Sequence, residues 1–390
     1  MTIGIERVIF VVATLAAAAE IGSRWWIRRR SRYYMWPPGQ RYKMLQDLRV
    51  FPQMEPDVRI EINSDGERAS EVRGDEEGLF RALVAGGSSV ECLALDQSTS
   101  WPGVLERLLG SAESLRVLGA RKVHVGNIGR SGIAARHLEL IFERLLPQYP
   151  RLSAILIVVG GSEVLQWLAA GAPLEPLPYS VTASETFACH PEQPLGWKPN
   201  QWATVEVARR LRRLWRHPIK QRNLAWVLAA RRMRAAAKQL RESVPDATPT
   251  LEQFASHFRQ VLRRAQRHAD RVLVLLPPWF EKQYTPEEVA RCWHGGMGDA
   301  WNQRVEIYYS LKVVNDLMPL VVTRTAAIAD ELGVEVLDLR PFVPATLENY
   351  YDFTHFTPAG SVLVAQAVAG ALLSTSPSQN RNLHARALPK

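Results

Sequence analysis

Cysteine is scarce in this chain: there are three among 390 residues, Cys92, Cys189 and Cys292, with no Cys-x-x-Cys pair. That scarcity excludes a disulfide framework and offers no zinc site, although a single Cys189–Cys292 bridge stays open. The run Cys189-His190-Pro191-Glu192 has no second Cys or His group nearby and reads as a loop. Acidic residues are missing from one whole stretch, Arg209 to Arg241. A nucleic-acid reading motif is missing too. The net charge of +9, from 48 Lys+Arg against 39 Asp+Glu, therefore carries no expectation of nucleic-acid binding. Apolar residues are plentiful at 47%, enough for a large core in one domain with insertions or in two domains.

The amino-terminal segment, 1–32, reads as a membrane signal. Val8–Ala19 is apolar apart from Thr14 and too short to cross the hydrocarbon layer; extended to Ile27 it is long enough, with Glu20 one helical turn from Arg24. Trp25, Trp26 and the arginines at 28, 29, 30 and 32 follow at the expected interface. Arginines directly after a cleavage site hinder export, so an uncleaved anchor is expected. The positive charge beyond the helix would keep the main domain on the cytoplasmic side. A polar connector, 33–78, carries the stiff Trp36-Pro37-Pro38-Gly39 and one short alternating strand at Arg59–Ile62, expected beside the main sheet.

From 79 to 375 the chain repeats an apolar strand followed by an amphipathic helix. Strands are expected at Leu79–Ala85, Lys122–Val125, Ala154–Val159, Arg271–Leu276 and Val334–Leu337, with helices after them. Such alternation implies an α/β fold, a three-layer sandwich about a mostly parallel sheet, with ligands beyond the carboxyl ends of the strands. The first three strands end in glycine-bearing turns: Gly86-Gly87-Ser88-Ser89, Gly126-Asn127-Ile128-Gly129-Arg130-Ser131-Gly132 and Gly160-Gly161-Ser162-Glu163. Near the end stands Asp352-Phe353-Thr354-His355.

These residue types suffice for acyl transfer, which needs a nucleophile, a base, a group to orient the base and donors for an oxyanion. Ser88 is the candidate nucleophile, His355 the base and Asp352 its orienting carboxylate. The oxyanion donors would be the backbone N–H groups of Ser88 and Gly132 and the hydroxyl of Ser162. No metal and no organic cofactor is required. Taken singly, each motif has an ordinary structural use. A Gly-Gly-Ser turn ends many strands, and an Asp-x-x-His before a helix is commonly a cap beside a surface imidazole. Their joint occurrence in this order favours the chemical reading.

The same blocks resemble those of the SGNH (GDSL-like) hydrolases. Ala85–Glu91 with Asp96 and Trp101-Pro102 is similar to their first block, Asn127–Gly132 to the second and Asp352–His355 to the last. The resemblance, with Trp36–Gly39, is to membrane-anchored bacterial members. It implies an SGNH-hydrolase/flavodoxin-like fold, a Ser88 nucleophile, a Gly132 oxyanion donor and a periplasmic setting. The third block departs from the family, because Ser162 and Glu163 stand where its asparagine and aspartate would be; Asn127 is one replacement donor.

A segment at 179–266 is extra to a minimal member and is expected to form a basic helical hairpin. It carries Arg209, Arg212, Arg231, Arg232 and Arg234 among apolar residues. Anionic lipid heads, a lid facing an acidic glycan and a plainly solvated face all fit that pattern. The tail, 376–390, is expected to be flexible. The expected function is hydrolysis of acyl esters, acetyl foremost, on an envelope carbohydrate or lipid. The alternatives are an O-acyltransferase using the same acyl-enzyme and a glycan-binding protein of little activity.

Overall fold

A computed structural model describes residues 4–30, 32–72, 76–176, 180–191, 202–216, 219–223, 225–279, 285, 288, 295–300 and 303–374. The tail at 376–390, Cys292 with its open pairing, and the aromatics Phe280 and Trp293 lie outside the described residues.

The strands, in chain order, are β1 (Arg41–Leu45), β2 (Asp57–Glu61), β3 (Leu79–Gly86), β4 (Lys122–Asn127), β5 (Leu152–Val158), β6 (Ile219–Asn223), β7 (Gln239–Arg241), β8 (Ala269–Leu276), β9 (Ile307–Tyr309) and β10 (Glu335–Asp338). The central sheet runs β10-β8-β5-β3-β4, with every pairing parallel. Counted along the chain within that sheet, this is the order 2-1-3-4-5 of the flavodoxin-like doubly wound fold, whose switch point lies between the first and third strands. Here those strands are β3 and β5. Their centres, Ala82–Ala85 and Ile155–Ile157, are fully buried apolar runs, as a sheet covered on both faces demands.

The helices that cover the sheet are α3 (Trp101–Leu109), α4 (Ala112–Leu118), α5 (Ala135–Leu145), α6 (Gly161–Ala169), α10 (Thr248–His268), Leu311–Glu331 and Pro358–Leu373. Helices α3, α4 and Pro358–Leu373 pack together on one face; α5, α10, Leu311–Glu331 and α6 form the other layer. The three-layer α/β arrangement expected from the alternation is therefore present. Helix α10 falls almost wholly inside the segment read as extra, 179–266. Its buried face of Phe254, Phe258, Val261 and Leu262 belongs to the main core, so it is the crossover that leads into β8.

Two further expectations change. The strand at the end of the connector packs on the same core but is not hydrogen-bonded into the main sheet. Strand β2 pairs antiparallel with β1, and β1 pairs in parallel with β6 from the extra segment, which makes a separate three-stranded sheet. The hairpin is thus not purely helical: α8 (Ala203–Arg216) and α9 (Ala225–Ala235) are separated by β6, and the connector supplies the strands that β6 needs.

The amino-terminal helix α1 (Ile5–Arg30) contains a segment, Glu6–Arg29, long and apolar enough to cross a membrane. Val8, Ile9, Phe10 and Leu15 are exposed, whereas Ile27 is buried. Glu20 accepts from Arg24 Nε at 2.8 Å, from the amides of Ala203 at 2.9 Å and Thr204 at 3.1 Å, and from the Thr204 hydroxyl at 3.1 Å. A carboxylate in an apolar helix thus caps the first turn of the basic helix α8, satisfying donors that a helix start leaves unpaired.

Below the sheet's β4 edge lies a buried charged cluster. The Glu67 carboxylate accepts from Asn63 at 2.8 Å and Arg81 at 3.1 Å and lies 2.8 Å from His124 Nε2, and Arg81 also reaches Asp65 at 2.7 Å. Gly126 must lack a side chain, because a Cβ there would stand 2.5 Å from that carboxyl group. Burial pushes the Glu67 carboxyl up, but the His124 hydrogen bond and charge, Arg81 and Asn63 outweigh it and hold it at about 2, against 4.5 ordinarily. The unfolded chain therefore takes up this proton first, so the contribution of Glu67 to stability is complete above about pH 4.5 and is lost as pH falls toward about 2. Thermal unfolding followed from pH 6 to pH 2.5 is expected to show a smaller acid loss in Glu67→Gln than in the parent.

Candidate active site

Strand β3 ends against β5 with Gly86 paired to Val158, and the chain turns at once into a single helical turn, α2 (Ser88–Glu91). The first glycine is required by a backbone contact, and the second leaves room for a side chain from the next strand exit. A Cβ on Gly86 would lie 2.5 Å from the Val158 carbonyl oxygen, and one on Gly87 would lie 2.7 Å from Ser162 Oγ. The first serine after them, Ser88, is left at the sheet's carboxyl edge, at the switch point.

Its hydroxyl lies 2.7 Å from His355 Nε2, although 267 residues separate the two. His355 Nδ1 lies 2.6 Å from Asp352 Oδ2, and Asp352 Oδ1 accepts from the amides of Thr354 at 2.9 Å and His355 at 2.8 Å. The structure thus brings Ser88, His355 and Asp352 into one hydrogen-bonded chain. The commoner use of Asp-x-x-His, a helix cap, falls instead to Thr357, whose hydroxyl accepts from the Gly360 amide at 3.2 Å with Pro358 in the first turn. Asp352 is thereby free to hold the imidazole.

Burial pushes the His355 pKa down, but the charge and hydrogen bond of Asp352, helped by Glu91, outweigh it and leave it above 6.5. For Asp352 burial acts upward, and the positive charge of His355, its hydrogen bond and the two amides bring the carboxyl below its ordinary 3.8. The pair is set to keep a carboxylate beneath a base that can accept a proton.

Gly132 and Ser162, the other predicted site residues, line the same cavity as Ser88 and His355. Gly132 adopts a left-handed backbone, φ 79°, which suits glycine. Gly160, at φ 118°, lets the exit of β5 turn so that Ser162 sits over Gly87. Glu163 ties this exit to its neighbour, accepting from the Gly160 amide at 2.8 Å and the Ala135 amide at 2.5 Å. Asn127 is not brought to Ser88. Its amide nitrogen donates to the Val90 carbonyl at 2.8 Å and its oxygen accepts from the Gly129 amide at 2.8 Å, so its polar atoms hold loops together.

Several side chains hold these loops through contacts of which the sequence gives no sign. Arg68 is fully buried; it donates to the carbonyl oxygens of Glu91, Cys92 and Leu95, the last two at 2.7 and 2.6 Å, and to Gln97 Oε1 at 2.9 Å. It closes the turn just after α2, where Cys92 takes a left-handed conformation. The Glu91 carboxylate accepts from the Ser131 amide at 2.6 Å and from the Ser131 hydroxyl, tying the nucleophile turn to the loop that carries Gly132. Burial raises its pKa. The Tyr351 ring stacks on His355, centroids 5.5 Å apart, and Arg231 of α9 donates to the Tyr351 carbonyl at 3.3 Å. Trp36 of the stiff connector motif donates to the Gly129 carbonyl at 3.2 Å. Glu91 stood inside the first motif, Trp36 inside the connector motif and Arg231 in the basic stretch, whereas Arg68 and Tyr351 act from positions that no motif marks.

Among the described residues no group of three or more His, Cys, Asp or Glu side chains is placed to hold a metal ion. The cavity beside Ser88 has a volume of about 720 Å³. Of the aromatics, Tyr308, Tyr351 and Phe353 line it, with Gly295 and Gly296.

No protein-family model matches the chain, and no curated protein sequence does. Among solved structures, it is similar to the acetylxylan esterase Axe2 from Geobacillus stearothermophilus, at 14% identity over 76% of this chain and 94% of that one, TM-score 0.40. It is also similar to LAE5, an alpha/beta hydrolase enzyme from the metagenome of Lake Arreo, Spain, at 13% identity over 76% and 96%, TM-score 0.39. Likeness at this level decides nothing about the chemistry.

Truncating Arg68 would strand three buried carbonyl groups. Arg68→Ala is expected to lower the unfolding free energy in urea by about 3 kcal/mol or more. Arg68→Lys should recover less than half of that, since an ammonium cannot reproduce the planar fork; full recovery by lysine would contradict this assignment.

Proposed function

We propose that the protein is a serine ester hydrolase of the SGNH kind, membrane-associated through α1, acting on an acyl ester of an envelope carbohydrate or lipid. The observation that carries this reading is the continuous Ser88–His355–Asp352 hydrogen-bonded chain at 2.7 and 2.6 Å, set at the switch point of the sheet. The order of the blocks and their resemblance to that family support it.

In this reaction Ser88 Oγ attacks the ester carbonyl as its proton passes to His355 Nε2. Asp352 accepts from Nδ1–H, fixes the tautomer and stabilises the imidazolium. The negative oxygen of the tetrahedral intermediate is met by the Ser88 and Gly132 amides and the Ser162 hydroxyl. His355 returns the proton to the leaving alcohol, leaving an acyl group on Ser88. Water then attacks with His355 again as base, releasing the acid. A serine hydroxyl replaces the family's asparagine amide in this scheme, and its seat over Gly87, next to Ser88, favours a direct donation to the oxyanion.

The test is hydrolysis of p-nitrophenyl esters by the full chain in detergent. Ser88→Ala is expected to lose at least ~10³-fold, and Ser162→Ala ~100-fold to ~1000-fold in turnover with little change in KM. Folded protein with no turnover above Ser88→Ala would overturn the reading.

The pH profile gives a second check. The reaction needs neutral His355, so kcat/KM should climb as pH rises through the His355 pKa, with its half-point above 6.5. Removing the Asp352 charge takes away what raises that pKa. Asp352→Asn should therefore move the half-point to lower pH while reducing the rate roughly 10⁴-fold.

A further inference from the structure

The cavity beside Ser88 carries more than the reaction needs. Its volume, about 720 Å³, is on the scale of sites that enclose whole drug-sized ligands, roughly 300–1,000 Å³. An acetyl group has only two carbons. Past the reacting residues the wall is mostly apolar, with Leu93, Ala94, Leu165, Ala169, Val227 and Phe353; Tyr308 and the exposed Asp299 also line it.

The polar side chains in that wall are largely engaged with the protein. The Glu91 carboxylate is held by the amide and hydroxyl of Ser131. Gln166 donates to the Gly132 carbonyl and accepts from Arg136. Asp352 holds His355 and two amides. A sugar entering here would leave water for a wall that offers its hydroxyls few partners, which is unfavourable for each unpaired group. A hydrocarbon chain suffers no such loss and gains with each methylene buried.

We infer that this cavity is an acyl-chain site and that the ester cleaved at Ser88 belongs to a membrane lipid, with a chain of about eight carbons or more rather than acetyl. The inference rests on the serine-hydrolase reading and deepens it. The segment around the cavity links it to the bilayer. Val227 stands on α9, and the same segment opens with α8, whose first turn is fixed to the apolar helix α1 by Glu20. One lining residue of the site and the contact to the apolar helix α1 therefore come from the same segment of the chain. In the covalent step the bond from Ser88 Oγ to the acyl carbon forms and the bond from that carbon to the lipid oxygen breaks. The Ser88 proton reaches that oxygen by way of His355, and water later completes the release of the fatty acid.

The experiment compares kcat/KM for p-nitrophenyl acetate, butyrate and octanoate, each below its aggregation concentration, using the full chain in detergent. Burying a methylene is worth roughly fourfold, and the octanoate-to-acetate ratio is expected to be at least ~100, short of full burial for all six added methylenes. A tryptophan placed in the wall, in Ala169→Trp and separately in Leu165→Trp, should reduce that ratio at least ~10-fold. Remaining Ser88-dependent acetate turnover reports that the variant is folded.

A ratio at or below one would overturn the acyl-chain site and leave the serine hydrolase standing. A high ratio untouched by both tryptophans would mean that the chain binds elsewhere, which overturns the assignment of this cavity. Absence of Ser88-dependent turnover with every ester would overturn the hydrolase reading itself.

Discussion

The geometry around Ser88 depends on a guanidinium without access to solvent, that of Arg68. A helix of one turn cannot hold itself: nucleation is unfavourable, and most helical stability in proteins comes from tertiary contacts. The carbonyl groups at the end of α2 are claimed by Arg68, its carboxylate Glu91 by Ser131, and its indole neighbour Trp101 donates to Ser89 at 3.0 Å. Arg68 is itself placed by the backbone bond from its amide to Asn127 at 2.8 Å, beside the Glu67 cluster. A polar segment before the first core strand thus sets the position of Ser88, twenty residues later. Buried charge of this kind is tolerable only when its donors are taken up, and here Nε, Nη1 and Nη2 all have acceptors.

His355 is held by different means. Its loop is short, its carboxylate is saturated by Thr354 and His355 amides, and its Tyr351 neighbour is gripped by Arg231 and by the edge of Phe51, 5.7 Å away. Phe51 comes from the connector and Arg231 from the extra segment. The small sheet of β1, β2 and β6 joins those two parts of the chain. Connector and extra segment are therefore not appendages: together they brace the histidine side of the site, while Arg68 and Glu91 brace the serine side.

What could be read in the sequence was local. Strand exits marked by glycine, an apolar run wherever a strand is buried on both faces, and an Asp-x-x-His before a proline-started helix are patterns within ten residues, and Ser88, Asp352 and His355 followed from them. The five core strands were also legible, to within two residues at their ends. Contacts made across long separations were not. The parallel pairing of β1 with β6 joins residues about 180 apart, and neither strand has an apolar run to announce it. Helix α10 was hidden by its arginines, which made a core crossover look like part of a basic surface hairpin; its apolar stripe at Phe254, Phe258, Val261 and Leu262 is what decides its place. The pairing of Glu20 with Arg24, one turn away, was legible, but its hydrogen bonds from the amides of Ala203 and Thr204 were not.

The account turns on Ser88 being an activated nucleophile rather than one of several hydroxyls at a polar edge, with Ser89, Ser131 and Ser162 close by. The most direct measurement is intact-mass and peptide mass spectrometry of the full chain after treatment with an alkyl fluorophosphonate. The account predicts one adduct per chain, on Ser88, and none in His355→Ala. An adduct on a different serine, or none on folded protein, would contradict it.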